Sequence, residues 1–206
     1  MQPNLSTALT ICGIIGGIMI LAGLEWIWVG GILGIGGAGI FTLAMLGDKI
    51  GMDHWRDRII SFRDPFADAV GDGFQVVQSL LALGSGGLFG LGFGNSKQKH
   101  MYLPEPQNDF VFAVVCEELG FVRAFLIILL FILLVARGFV IGLRARSRFE
   151  AMLAMGISFQ VGLQAALNIA VVTSTVPNTG ISLPFFSYGG SALMITLLEM
   201  GTILGV

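Results

Sequence analysis

The sequence predicts an all-α, polytopic membrane protein, and three observations carry that prediction. Of 206 residues, 55% are hydrophobic and only 12% charged, and the mean hydropathy is +0.87, which leaves too little polar surface to cover a soluble globule. Apolar runs of about 20 residues recur along the chain, each long enough to cross a hydrocarbon core ~30 Å thick. The 30 glycines suit the same class, because small residues let membrane helices approach closely. We therefore expect a single membrane domain over residues 1–206 with about five transmembrane helices. Within it, residues 48–109 should form a large extracytoplasmic loop with short or re-entrant helices. A net charge of -2 gives no reason to expect nucleic acid as a partner. Two cysteines are too few for a disulfide framework, so Cys12 and Cys116 should be free thiols.

Leu5–Leu24 and Trp26–Leu46 are the first two expected spans, with Glu25 at the turn and Trp26 and Trp28 suited to the interfacial layer. No basic residue precedes Lys49 and no cleavage site is legible, so the start does not read as a signal peptide. The lack of a charged leader leads us to expect a chain that begins partway through a longer one. From Gly47 to Asn108, Asp48, Asp53, Asp57, Asp64, Asp68 and Asp72 mix with Lys49, Arg56, Arg58, Arg63, Lys97 and Lys99. That is the composition of a water-exposed loop, and its early part HWRDRIISFRDPF could lie along the membrane interface. Phe74–Leu83 is helical in pattern but too short to span, and it runs into the glycine-rich Gly84–Gly94, read as a flexible turn. Lys97, Lys99 and His100 follow at once, so this loop could hold phosphate, although it lacks P-loop spacing.

Phe121–Leu143, Ala151–Val172 and Ser191–Val206 are the remaining expected spans. Arg137, Arg144, Arg146 and Arg148 gather at one connection, opposed by Glu150, which assigns it to the cytoplasmic side and the long acidic loop to the other. Gln160, Gln164 and Asn168 recur every four residues and share one helical stripe, suited to bonds between helices or to the lining of a polar cavity. Glu199 inside the last span is a functional candidate by default, and its plainer explanation is a buried partner such as an arginine or glutamine from another helix. Between the last two spans, Pro177, Gly180 and Pro184 rule out a continuous helix. The Thr179 and Ser187 hydroxyls of that loop could face a substrate.

The stretch Tyr102–Gly120, YLPEPQNDFVFAVVCEELG, concentrates Glu105, Asp109, Glu117 and Glu118 beside the start of a span. Pro104 and Pro106 forbid helix through themselves, so a helix should open at Asn108 or Asp109. Asp109 then admits two roles. One is an N-cap whose carboxylate accepts a bond from a free backbone N–H. The other is a rigidly mounted base that takes a proton from a substrate hydroxyl at the water–lipid boundary. Glu117 lies about 80° and Glu118 about 180° around the helix from Asp109, so both read as structural, pairing with arginines or capping neighbours.

Two long blocks, GDGFQVVQSLLALGSGGLFGLGFGNSKQKHMYLPEPQNDFVFAVVCEELGF and VPNTGISLPFFSYGGSAL, with MQPNLST at the start, resemble the SEDS family (shape, elongation, division and sporulation). GNSKQK together with YLPEPQNDF resembles its FtsW and SpoVE members more than RodA. The resemblance covers nearly the whole chain and the C-terminal half of the family's fold. Asn4 stands where the family usually has aspartate, Ser6 where it has glycine, and Ala192 where a second serine is common. The resemblance implies a peptidoglycan glycosyltransferase of the bacterial cytoplasmic membrane, polymerising lipid II (an undecaprenyl-diphosphate-linked disaccharide peptide) on the outer side. Its implied partners are a class B penicillin-binding protein, other division proteins and membrane lipids. It places the family's catalytic aspartate at Asp109.

Forming a β-1,4 bond from an α-linked diphosphate is an inversion, which needs one base on the acceptor 4-hydroxyl and stabilisation of the leaving diphosphate. Lys99, with Arg56 and Arg58, is the candidate for offsetting that charge; contact with lipid headgroups is the competing role. Gln98, Thr179 and Ser187 join them as substrate-binding candidates. Glu105 is expected to orient Lys99 or to help hold a divalent cation, Mg or Mn; no dedicated protein metal site is expected. The rival functions are a lipid II flippase and a noncatalytic scaffold of the division machinery. A flippase needs polar groups continuous across the bilayer, whereas here they gather in loops on one side.

Overall fold

The computed structural model describes residues 5–25, 27–28, 30–31, 34, 73–96 and 108–206. Among these it contains helices only: α1 (Leu5–Leu21), α2 (Phe74–Gly86), α3 (Val111–Arg144), α4 (Arg148–Val172) and α5 (Gly190–Leu204). The expected all-α class holds. The second expected span is helical at 27–28, 30–31 and 34, and the rest of it lies outside the described residues, as does the charged part of the loop up to Asp72.

α3 and α4 are long and apolar enough to cross a membrane. In their most apolar windows only 17% of α3 and 39% of α4 is buried, whereas core helices of a soluble protein would be mostly covered. Phe121, Phe125, Leu126, Leu130 and Leu133 are all more than half exposed on α3, a continuous apolar surface that water would not tolerate. At 17 and 15 residues, α1 and α5 are shorter than the runs that announced them. α1 stops at a turn where Gly23 takes φ +83°.

The short link from Ala145 to Ser147 folds α4 back along α3. Ser147 accepts a bond from the Glu150 N–H at 3.2 Å, and the Glu150 carboxylate accepts one from the Ser147 N–H at 3.1 Å. This reciprocal cap starts α4 at Arg148, ahead of the expected Ala151. Where the two helices cross, a Cβ on Gly138 would run into Ser158, so glycine sets their separation. α5 buries only Ile203 and is tied to α4 by the Gln160 Nε2 bond to Glu199 Oε1, 3.0 Å. That is the glutamine partner expected for Glu199. Gln160→Leu is accordingly expected to destabilise the protein by about 1–3 kcal/mol, the cost of a part-buried acceptor left without its donor. The double variant Gln160→Leu/Glu199→Leu should recover most of the loss, read as thermal melting midpoints in detergent; a double variant no better than the single would refute the link.

α3 is broken. Gly120 takes φ 80°, ψ 172°, dividing it into 111–119 and 121–144, so the expected start at Phe121 marks its long half. The glycine-rich segment after α2, expected to be a flexible turn, is strapped across this break. The Leu91 and Gly92 N–H groups donate to the Glu117 and Glu118 carbonyls at 3.0 Å each. From the other side, the Phe121 and Val122 N–H groups donate to the Gly87 and Leu88 carbonyls at 2.9 and 3.2 Å. A helix break orphans carbonyls before it and N–H groups after it; one loop satisfies both sets. The N–H groups of Gly90, Leu91, Gly92 and Asn95 are all committed within the protein; Lys97, Lys99 and His100, on which the phosphate-holding reading also rests, lie outside the described residues.

Ser96 ends the strap by donating to the carboxylate of Glu117, which is 1% exposed. Glu117 and Glu118 are both buried in α3, and Ser96 is one partner of Glu117. Cys12 and Cys116 are free thiols, as expected.

Candidate active site

Asp109 sits in a turn just before α3, whose N-cap position is taken by Phe110. The N-cap position expected at Asp109 therefore falls one residue later. Phe110, 2% exposed, is driven into the core, and the carbonyls of the preceding turn are held from other elements. The Ser187 hydroxyl donates to the Asn108 carbonyl at 2.6 Å while accepting from the Leu183 N–H at 2.7 Å. Asn168, on α4, donates from Nδ2 to the Asp109 carbonyl at 2.8 Å and to the Ile181 carbonyl at 2.7 Å. Two consecutive peptide carbonyls are thus fixed, one by α4 and one by the loop that follows it.

That loop, from Thr173 to Gly189, is itself braced. Asn178 accepts from the Gly180 N–H at 3.1 Å, a local Asx turn, and donates to Gln75 of α2 at 3.1 Å. Ser79 of α2 bonds the Val172 carbonyl at 2.9 Å, tying α2 to the end of α4. Farther along, Phe131 of α3 packs against Phe185 and Phe186 with ring centres 6.3 and 6.1 Å away. Phe185 is held at φ 67°, a conformation rare for a bulky residue. A Cβ added at Gly180, itself at φ +64°, would lie 3.5 Å from Asp109 Oδ2. Gly180 thus lies directly beside the Asp109 carboxylate.

The structure therefore brings Asp109, Thr179 and Ser187 of the expected site together. The single proton of Ser187 is given to Asn108, so towards a ligand it offers only an acceptor. Thr179 Oγ1 is buried without a hydrogen-bond partner, next in sequence to the glycine that borders Asp109. An unpartnered buried hydroxyl costs about 1–3 kcal/mol. Lys99, Gln98, Glu105, Arg56 and Arg58 lie outside the described residues, as does the cation expected at Glu105. Among the described residues no three His, Cys, Asp or Glu side chains cluster as metal ligands would. Sequence reasoning placed Asn168 on a polar stripe but did not connect it to Asp109. Its position one turn before the loop was the available signal.

The family model described as "Cell cycle protein", covering FtsW, RodA and SpoVE, matches residues 1–206. The chain belongs to the FtsW/RodA/SpoVE family. It is 42% identical over 208 aligned residues to "Stage V sporulation protein E" of Bacillus subtilis (strain 168), an alignment covering 100% of this chain and 55% of that protein. It is also 42% identical over 208 aligned residues to "Probable peptidoglycan glycosyltransferase FtsW" of Alkalilimnicola ehrlichii, covering 100% of this chain and 51% of the relative. Among solved structures, it matches a chain of the one reported as "Structural coordination of polymerization and crosslinking by a peptidoglycan synthase complex". That match has a TM-score of 0.74 and 30% identity, and covers 98% of this chain and 55% of that one. The chain thus spans about half the length of the curated FtsW and SpoVE relatives it matches. Family membership and the apolar, uncovered α3 agree on a membrane location for this FtsW/RodA/SpoVE protein.

Proposed function

We propose that this protein is a peptidoglycan glycosyltransferase that polymerises lipid II into glycan strands for division or sporulation. The observation that carries the reading is the clamped turn of Asp109, with its carboxylate bordering Gly180. A general base must be held still within reach of the proton it takes, and a turn fixed through its own main chain meets that need. The Asp109 carboxylate accepts the proton of the acceptor 4-hydroxyl as that oxygen attacks the anomeric carbon. The new C–O bond forms on the face opposite the diphosphate, which departs with the bonding electrons. Lys99, with Arg56 and Arg58, offsets the charge growing on the diphosphate; Glu105 orients Lys99, and Gln98, Thr179 and Ser187 contact the substrate.

The site opens on the extracytoplasmic side of a multi-pass protein of the bacterial cytoplasmic membrane. The part of α3 beyond Gly120 is roughly 36 Å long at 1.5 Å per residue, about one bilayer core. Asp109 lies before that span, and Arg144, Arg146 and Arg148 lie at its far end, the cytoplasmic one by the positive-inside rule. The solved structure that this chain resembles is of a peptidoglycan synthase complex that coordinates polymerization and crosslinking, which supports a crosslinking partner, here a class B penicillin-binding protein. Membranes containing this chain and such a partner are expected to convert labelled lipid II into muramidase-sensitive polymer. No polymer with or without the partner, with lipid II either unchanged or merely moved across the bilayer, would overturn the proposal.

A further inference from the structure

We propose that Asn168 is the positioning residue of this site, holding Asp109 at a fixed place relative to the Pro177–Ser187 loop. The inference rests on the glycosyltransferase reading given above. Asn168 is 1% exposed, so it cannot itself reach a substrate. A polar residue buried in a helix commonly bonds back to its own helix, as Ser158 does to the Ala154 carbonyl at 2.7 Å. Asn168 instead sends both protons of Nδ2 out of α4, to carbonyls 59 residues away at Asp109 and 13 away at Ile181.

The orientation of the amide is dictated by those acceptors. Turned over, Oδ1 would face two carbonyl oxygens and both bonds would become repulsions. The price of the chosen orientation is that Oδ1 is buried with no donor. The arrangement thus serves two main-chain carbonyls rather than the side chain's own satisfaction. One of them belongs to the residue bearing the base. The other lies next to Gly180, which borders its carboxylate. One rigid group joining these two segments sets the distance between the base and the loop that would meet the sugar. A misplacement of about 1 Å can lower turnover about 10²-fold without weakening binding in proportion.

The test compares Asn168→Leu and Asn168→Asp with the native protein in its native membranes together with its penicillin-binding protein, using labelled lipid II. Both variants keep the size of the side chain, and neither can donate to two carbonyls at once. Each is expected to accumulate normally and to lower kcat about 10²-fold, with KM changed less than about threefold. Gln164→Leu, one turn away on the same stripe, controls for disturbance of α4 and is expected to leave kcat within about twofold of native. Native kcat in both Asn168 variants would overturn the proposal, as would a raised KM with kcat unchanged. Loss of both variants from the membrane would assign Asn168 to folding and also overturn it. Asp109→Asn, run in parallel, separates the two readings: if that variant stays active the general-base reading fails, whatever the Asn168 variants do.

Discussion

Asp109→Asn is expected to lower polymerisation of lipid II by about 10²–10⁴-fold, the range lost with a positioned general base, while the protein accumulates and melts as the native one does. The substitution keeps the shape of the side chain and removes its ability to take a proton. The Ser187 and Asn168 clamps act on the main-chain carbonyls of Asn108 and Asp109, which asparagine leaves in place, so the turn should persist. Loss of rate without loss of fold is the signature of chemistry at the carboxylate. Asp109→Glu should recover only part of the rate, because the longer chain moves the carboxylate from the place at which the clamped turn holds it. Steady-state turnover of labelled lipid II, alongside a melting curve in the same detergent, measures both. A turnover for Asp109→Asn within threefold of native would remove Asp109 from the chemistry.

What could be read in advance divides by range along the chain. The hairpin of α3 and α4 was legible because its signals are local: long apolar runs and an arginine-rich link; the Ser147–Glu150 cap, equally local, went unread and so the start of α4 was set three residues late, at Ala151. The Gln160–Glu199 bond was half legible, since a carboxylate within an apolar helix demands a partner and glutamine was one named choice. Asp109 misled as an N-cap because capping preference is a local statistic. Here it is outweighed by tertiary bonds to Asn168 and Ser187, neither of them near in sequence. The strap misled for a related reason. Glycine-rich composition states that the backbone can come close to something, and leaves open whether that is a phosphate or another stretch of the same chain. The carbonyls of Glu117 and Glu118 became its target only because Gly120 breaks the helix there.

Gly120→Ala is expected to prevent accumulation of the folded protein. At φ 80°, ψ 172° the backbone occupies a region essentially reserved for glycine, where any other residue costs on the order of 1–3 kcal/mol. The added Cβ would also meet main chain rather than a yielding side chain: the Gly90 nitrogen, the carbonyl carbon of Phe89 and, at 2.7 Å, the Leu88 carbonyl oxygen. Relief requires lifting the strap off the break. That would strip the bonds made by Leu91, Gly92, Phe121 and Val122, each worth about 0.5–1.5 kcal/mol net and about 1–3 kcal/mol when a buried group is left orphaned. The combined loss, roughly 5 kcal/mol or more, compares with a whole-domain stability of about 5–15 kcal/mol. The effect is specific to the crossing point. Gly84→Ala, on α2 where a Cβ meets nothing within 4 Å, should be neutral or stabilising by up to ~1 kcal/mol from helix propensity alone. Membrane accumulation and melting midpoints of the two variants decide the matter. A Gly120→Ala protein that accumulates and melts within a few degrees of native would mean that the strap can move aside at little cost, and that the break in α3 does not depend on it.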